Sequence, residues 1–359
     1  MVIGGGPAGC AAAITLARAG CQTVLLERER EATHKVCGEF LSVEALEELR
    51  AMEIDPARRG AEPISTVRVA GNSPRVVRHS LPFPACSLTR RSLDAMLLER
   101  AQACGVEVRS GCAAESIEPE SALWRVQTRQ GSLLTERIVL ATGKHNLRGY
   151  ARGEGRQRGL VGLKMYFHLA DRQRQELTGH VELLLYPGGY AGLQPVECGV
   201  ANLCCLIQAR KLQQLGGWPA LLEHMQRHCT HLRARLAGAV PVLEKPLAIS
   251  SIPYGFQRRS TPRGVWCVGD QAAVIPSFTG DGMSLALVSG RRAAQAILRG
   301  DSSQQFQHDL HESLAPQIDF ATRLSQIMLT GAGRFAAERL LRFWPGAIGH
   351  IASRTRLQA

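Results

Sequence analysis

Gly4, Gly6 and Gly9 stand at G-x-G-x-x-G spacing, and the chemistry this spacing serves is the grip of a pyrophosphate. The first glycine permits a tight turn, the second lets the backbone approach a phosphate, and the third lets a helix pack closely on its strand. Pro7 and Ala8 open that helix, whose N-terminal amides aim at the anion. Met1-Val2-Ile3 reads as the strand before it. Pro7–Ala19 reads as the helix, with Gly20 as its C-terminal stop, and Thr23–Leu26 as the next strand, ending at Glu27. An acid at that place, with Arg28 beside it, suits an adenosine ribose and disfavours a 2′-phosphate. Three residues are few for a buried parallel strand, which usually has about five. A chain extended at its N-terminus is therefore expected to retain a dinucleotide better.

A second chemical cluster lies more than two hundred residues away. Val265–Val268 is an apolar strand running into Gly269-Asp270, and Pro276 and Gly280-Asp281-Gly282-Met283 then open another helix. A helix N-terminus stabilises negative charge placed against it. Between the two clusters stand Cys37-Gly38 on the stretch after the second strand, Arg90-Arg91-Ser92-Leu93-Asp94, Thr142-Gly143 after the strand Ile138–Ala141, and Tyr190-Ala191-Gly192-Leu193-Gln194-Pro195. Glu39 reads as an exposed loop carboxylate, with proton donation as the alternative.

Together these segments resemble the flavoprotein group of the geranylgeranyl reductases, the aromatic hydroxylases of the p-hydroxybenzoate hydroxylase type and the flavin halogenases. The likeness covers roughly residues 1–300. It implies bound FAD, with Asp270 on the ribityl chain and the helix after Gly282 facing the pyrimidine end of the ring. It also implies that Arg90, with Arg91 as the fallback, reaches the phosphates. Thr142-Gly143 resembles the group's second dinucleotide-proximal turn. NAD(P)H is implied as a transient reductant, although Thr142 takes the place of an Asp that the hydroxylases use there.

Cys37-Gly38 and the Tyr190 segment point to the geranylgeranyl reductase branch. Its Cys-Gly pair lies beside the flavin, and its Tyr-x-Trp-x-Phe-Pro element is on a substrate-domain strand. Here Tyr190 and Pro195 keep their spacing, while Gly192 replaces the Trp and Gln194 the Phe. Less bulk and an added amide predict a wider, more polar pocket. The resemblance thus implies Cys37 and Tyr190 as candidate catalytic residues. The expected activity is hydride transfer to a C=C bond, or flavin-mediated oxygenation, of a bulky hydrophobic or conjugated small molecule. The alternatives are a halogenase, or a flavin-binding protein without turnover. Halogenases fit less well, because the Trp residues at 124, 218, 266 and 344 are isolated.

Positioning such residues takes an α/β fold. The expectation is a glutathione-reductase-type, Rossmann-like FAD-binding domain, an inserted antiparallel β-sheet substrate domain and a helical C-terminus. The FAD-binding domain is assigned to 1–61, 86–155 and 260–305, the substrate domain to 62–85 and 156–259, and the helical segment to 306–359. Within these, Ser42 is expected to cap a helix to about Met52. Ile64–Val69 and Val76–His79 read as strands about a Gly71-Asn72-Ser73-Pro74 turn, Arg90–Cys104 as a helix, and Val106–Arg109 and Trp124–Thr128 as strands. Long strands are expected at Leu160–Leu169, Val181–Tyr186 and Val200–Ile207, and helices at Trp218–Ala237 and Gly282–Leu298. The tail from Asp319 places Phe320, Leu324, Ile327 and Met328 at helical spacing. Phe335, Leu340, Leu341, Phe343 and Trp344 follow among Arg334, Arg339 and Arg342. This reads as a helix over a pocket or, alternatively, a basic amphipathic element at a membrane surface.

Composition narrows the class. The 359 residues carry a formal charge of +12, but the arginines are dispersed and no nucleic-acid-reading motif is present. Anionic cofactors or a membrane surface account equally well for the charge, and nucleic acid is not expected as a partner. The 11 cysteines form no CxxC pair, which points to reduced thiols, no metal and a cytoplasmic protein with possible membrane association. His224, His228 and Cys229 read as a solvated helix face. No apolar run reaches the ~18–20 residues of a membrane span.

Overall fold

Val2-Ile3 is apolar on both faces and buried, as a strand at the centre of a parallel sheet must be. In the computed structural model, which describes residues 1–73, 75–344 and 346–356, this strand is flanked on both sides. It pairs in parallel with Ile138–Leu140 and Val24–Glu27. Val265–Cys267 and Glu107–Ser110 complete a five-stranded parallel sheet in the order 265–267, 138–140, 2–3, 24–27, 107–110. Regular pairing of the first strand is confined to Val2 and Ile3. The Gly4 N–H extends it by donating to the Leu26 carbonyl at 2.8 Å, and the Ala141 N–H donates to Ile3 at 2.8 Å.

Helices cover this sheet. Pro7–Arg18 is buried along nearly its whole length, and Gly20 turns away at φ +81. Helix Gly282–Arg299 packs so closely on it that a Cβ at Gly290 would lie 2.1 Å from the Ala8 carbonyl oxygen. Arg90–Ala103 and Val43–Ala51 are further helices of this layer. Ser42 occupies the N-cap position of Val43–Ala51, but its hydroxyl bonds to Glu44 and Ser284 instead of a helix amide. A three-stranded antiparallel sheet, 114–120, 123–128 and 131–135, stands at the side. Its first and third strands lack a clear alternation in the sequence.

The second large sheet has nine strands. Its backbone is the antiparallel series Leu160–His168, Val200–Gln208, Gly189–Val196 and His180–Tyr186, on which Glu62–Ala70 pairs in parallel. Val77–Ser87 follows, and then the two-residue strand Phe40–Leu41, directly after Glu39, which reads as a loop residue in the sequence. The strand from Val77 runs well past His79, through two prolines that alternation cannot carry. Pro74 of the expected turn, and the side chain of Arg342, lie outside the described residues.

The helix expected over Trp218–Ala237 is broken at Cys229 into Trp218–His228 and Thr230–Arg235. Its His224 and Cys229 are buried, not solvated, and the His224 ring is 3.0 Å from the Pro187 carbonyl. The chain ends in helices Ser303–Leu329, Gly331–Phe343 and Ala347–Thr355. Among the described residues no helix is long and apolar enough to cross a membrane.

Candidate active site

A cavity of about 820 Å³ lies between the two large sheets. At one end its wall is the glycine turn. Gly4 adopts φ +109, and a Cβ there would sit 2.4 Å from the Ala141 carbonyl oxygen; one at Gly9 would sit 1.9 Å from the Gly4 oxygen. Both positions therefore require glycine, and Gly9 serves packing beneath the wall, not the wall itself. Gly4, Gly6, Pro7 and Ala8 face the cavity, with Glu27 and Arg28 beyond them. The Glu27 carboxylate accepts from the Gly5 N–H at 2.6 Å. Arg90 lies over Gly6, 3.5 Å from where a Cβ would be, and holds Asp94 through two bonds of 2.8 and 2.9 Å. Arg91, the fallback, is exposed.

Beside the turn, Thr142, Gly143, Gly269 and Asp270 line the cavity, followed by Gly280, Gly282 and Met283 at the N-terminus of helix Gly282–Arg299. Pro276 stands just outside, capping the 3-10 turn Ser277–Thr279. Asp281 is buried and turned away, toward Arg356 at 3.0 Å. Two helix N-termini and an arginine thus converge on a trough whose glycines leave no side chain in the way. This donor set fits the diphosphate and ring of FAD.

Cys37 and Gly38 also line the cavity, on a stretch held in an unusual way. Lys164 Nζ donates to the Lys35 carbonyl at 3.2 Å, and Lys144 Nζ to Val36 at 2.6 Å. Asn202 Nδ2 donates to Cys37 and Gly38 at 3.2 and 3.0 Å, and the Leu88 N–H to Glu39 at 3.2 Å. Five successive carbonyls without regular ladder partners are thus satisfied by groups distant in sequence, which fixes the path of the segment.

Glu39 itself corrects the sequence reading: it is fully buried, at φ +64. Its carboxylate accepts from Lys164 Nζ at 2.5 Å, the Arg90 N–H at 2.7 Å, Tyr166 Oη at 2.8 Å and Asn202 Nδ2 at 3.0 Å. Burial pushes the Glu39 carboxyl above its usual range, against the pull of Lys164. Tyr166 is raised by burial and then by Glu39, and its Oη is 3.0 Å from His34 Nδ1. No sequence pattern signals this cluster, because Lys164, Tyr166 and Asn202 come from strands that read as ordinary sheet.

Beyond Cys37 the wall turns apolar. Tyr190, Leu183, Leu185, Val67 and Val69 come from the nine-stranded sheet, and Leu324, Met328 and Leu341 from the C-terminal helices. Tyr190 Oη pairs with Ser277 Oγ at 3.0 Å, and burial pushes the phenol up to about 12, so it holds its proton at neutral pH. Arg356, which sequence reading did not single out, closes this end. It pairs with Glu44 at 3.1 Å as well as Asp281, over the Phe83 ring at 3.8 Å. Among the described residues no cluster suited to a metal ion is present.

Residues 1–137 match the family model described as an FAD binding domain. Over 352 residues the chain is 28% identical to digeranylgeranylglycerophospholipid reductase 2 of Methanopyrus kandleri, spanning 91% of this chain and 85% of that protein. Menaquinone reductase of Mycobacterium tuberculosis is 25% identical over 348 residues, spanning 91% and 83%. The fold is also that of the flavin-dependent brominase Bmp2, with a TM-score of 0.82 at 16% identity, covering 99% of this chain and 93% of that one.

Proposed function

We propose, for a chain that is an FAD-dependent oxidoreductase of the geranylgeranyl reductase, aromatic hydroxylase and flavin halogenase group, that the reaction is reduction of a conjugated C=C bond in a bulky, lipophilic small molecule. The supporting observation is the continuity of one cavity from the glycine trough to an apolar chamber. FAD bound in the trough and reduced by NAD(P)H supplies hydride. The chain's own residues then have three tasks. Arg90 and the two helix N-termini hold the anionic cofactor. The apolar wall desolvates the substrate. Tyr190, a protonated phenol in that wall, or the Cys37 thiol delivers the proton that a reduced C=C bond takes up alongside hydride.

The helical C-terminus supports a further element of this reading, contact with a membrane surface from which such a substrate would enter. The helix Gly331–Phe343 gives Ala337, Leu340 and Leu341 to the cavity and leaves Phe335 and Phe343 exposed on its outside.

The reaction is tested by reducing the holoenzyme without oxygen and mixing it with conjugated polyprenyl or ring substrates. Flavin reoxidation by substrate alone, with a product heavier by two hydrogens, is the expected result. Reoxidation that needs oxygen and yields an oxygenated product would replace reduction by oxygenation. Failure of every nicotinamide to reduce the flavin would favour a binding protein without turnover.

A further inference from the structure

Gly189–Val196 presents alternate residues to the cavity, and the three that line it are Tyr190, Gly192 and Gln194. At Gly192 a Cβ would meet nothing within 4 Å, so open space stands where a side chain would otherwise project. Gln194 borders that space. It is 3% exposed, and its amide nitrogen is buried with no hydrogen-bond partner among the described residues. Buried amides are rarely left so. Across the sheet Gln194 pairs in register with Asn202, the residue that holds the Cys37 and Gly38 carbonyls. The unpartnered donor is therefore set at the boundary between the polar end of the cavity, at Cys37, and the apolar end, at Tyr190.

We infer that Gln194 is a specificity-determining residue that donates its amide N–H to a carbonyl oxygen of the substrate, and that the substrate class is a conjugated ketone, an enone or a quinone ring. The inference rests on the reductase reading above and sharpens it. Hydride adds to the carbon β to the carbonyl, and the π pair of the C=C bond moves toward the oxygen. A proton then reaches the α-carbon, restoring the carbonyl. The substrate gains two electrons, the reduced flavin loses two, and NAD(P)H restores them. An amide donor at the oxygen stabilises the charge as it develops there. Gly192 leaves width for the ring or branched chain that carries the carbonyl. A site built to bond a polar group also rejects the analogue that lacks it, because its own donor then stays unpaired.

The test uses the oxidised holoenzyme and two probes of like shape, menadione and methylnaphthalene, with binding read from the flavin absorbance and from the unfolding midpoint. Wild type is expected to bind menadione roughly tenfold tighter than the hydrocarbon. Gln194→Met keeps the volume and removes the donor, and is expected to erase that preference by weakening menadione while methylnaphthalene binds as well as before or better. Gln194→Leu is a second donor-free variant if the first fails to fold. Equal weakening of both probes overturns the inference. So does a changed flavin spectrum or FAD affinity in the variant without any probe, which would assign the amide to the flavin. If wild type binds neither probe, the inference fails together with the reading of the chamber as a substrate site. If it binds both alike while substrate still reoxidises the flavin anaerobically, only the inference fails.

Discussion

Glu39 and Lys164 form an ion pair with no exposure, directly beneath the segment that carries Cys37. Both side chains are shielded from bulk solvent, so each charge is tolerable chiefly because the other is there. Tyr166, Asn202 and the Arg90 amide then fill the remaining lone pairs of the carboxylate. Removing one partner strands the other. Lys164→Met is expected to destabilise the holoenzyme by about 3–5 kcal/mol in urea unfolding, whereas Glu39→Gln combined with Lys164→Met should recover most of that loss. Additive losses in the double variant would show that the two groups do not act as a pair. Little of this was legible beforehand. A carboxylate after Cys-Gly in a loop reads as solvated, and its burial depends on strands more than a hundred residues further on.

At the scale of elements, the N-terminus of helix Gly282–Arg299 is joined to the C-terminal end of the chain. Arg356, just past helix Ala347–Thr355, bridges Asp281 and Glu44. Burial pushes Asp281 up to about 7, with Arg356 pulling it down and Glu44 pushing it further up. In the unfolded chain the same carboxyl titrates near 3.9. The folded state therefore takes the proton first, and this contribution to stability is full below about pH 4 and lost as pH rises through about 7. Asp281→Asn removes the dependence. Wild-type stability minus that of the variant should fall by a few kcal/mol between pH 4 and pH 7, read by urea unfolding at each pH. Parallel curves would sink the assignment. The glycines of this element were plain in the sequence, but its partner was not, since no spacing rule connects residue 281 to residue 356.

The whole molecule places its cavity between two sheets and closes one end with the C-terminal helices. Their outer surface exposes Phe335 at 61%, Phe343 at 74% and Trp344 at 55%, and the Arg339 guanidinium sits 5.7 Å from the Phe335 ring. Exposed aromatics beside arginines, on a chain of net charge +12, suit an anionic bilayer surface. The protein is expected to pellet with anionic vesicles, less so with zwitterionic ones and less again at high salt. Phe343→Ser together with Trp344→Ser should weaken binding by roughly tenfold or more, given ~1.5–3 kcal/mol for each large apolar side chain withdrawn from water. Sedimentation independent of lipid would dismiss this contact.

The sequence by itself determined the glycine trough. Gly4 to Glu27 and Gly269 to Met283 are local patterns whose geometry follows from backbone sterics and helix N-termini, so they can be read wherever they occur. It also determined the class of the fold, through the period of the strands and helices around them. The tertiary structure decided the rest. It buried Glu39, left the Gln194 amide without a partner, and brought Arg356 to Asp281. Each depends on which distant strands become neighbours, and burial and pairing of charge are properties of that neighbourhood. The opening strand shows both sides of this. Val2-Ile3 is shorter than the usual buried strand, yet it stands at the centre of its sheet because both of its neighbours are supplied by tertiary pairing.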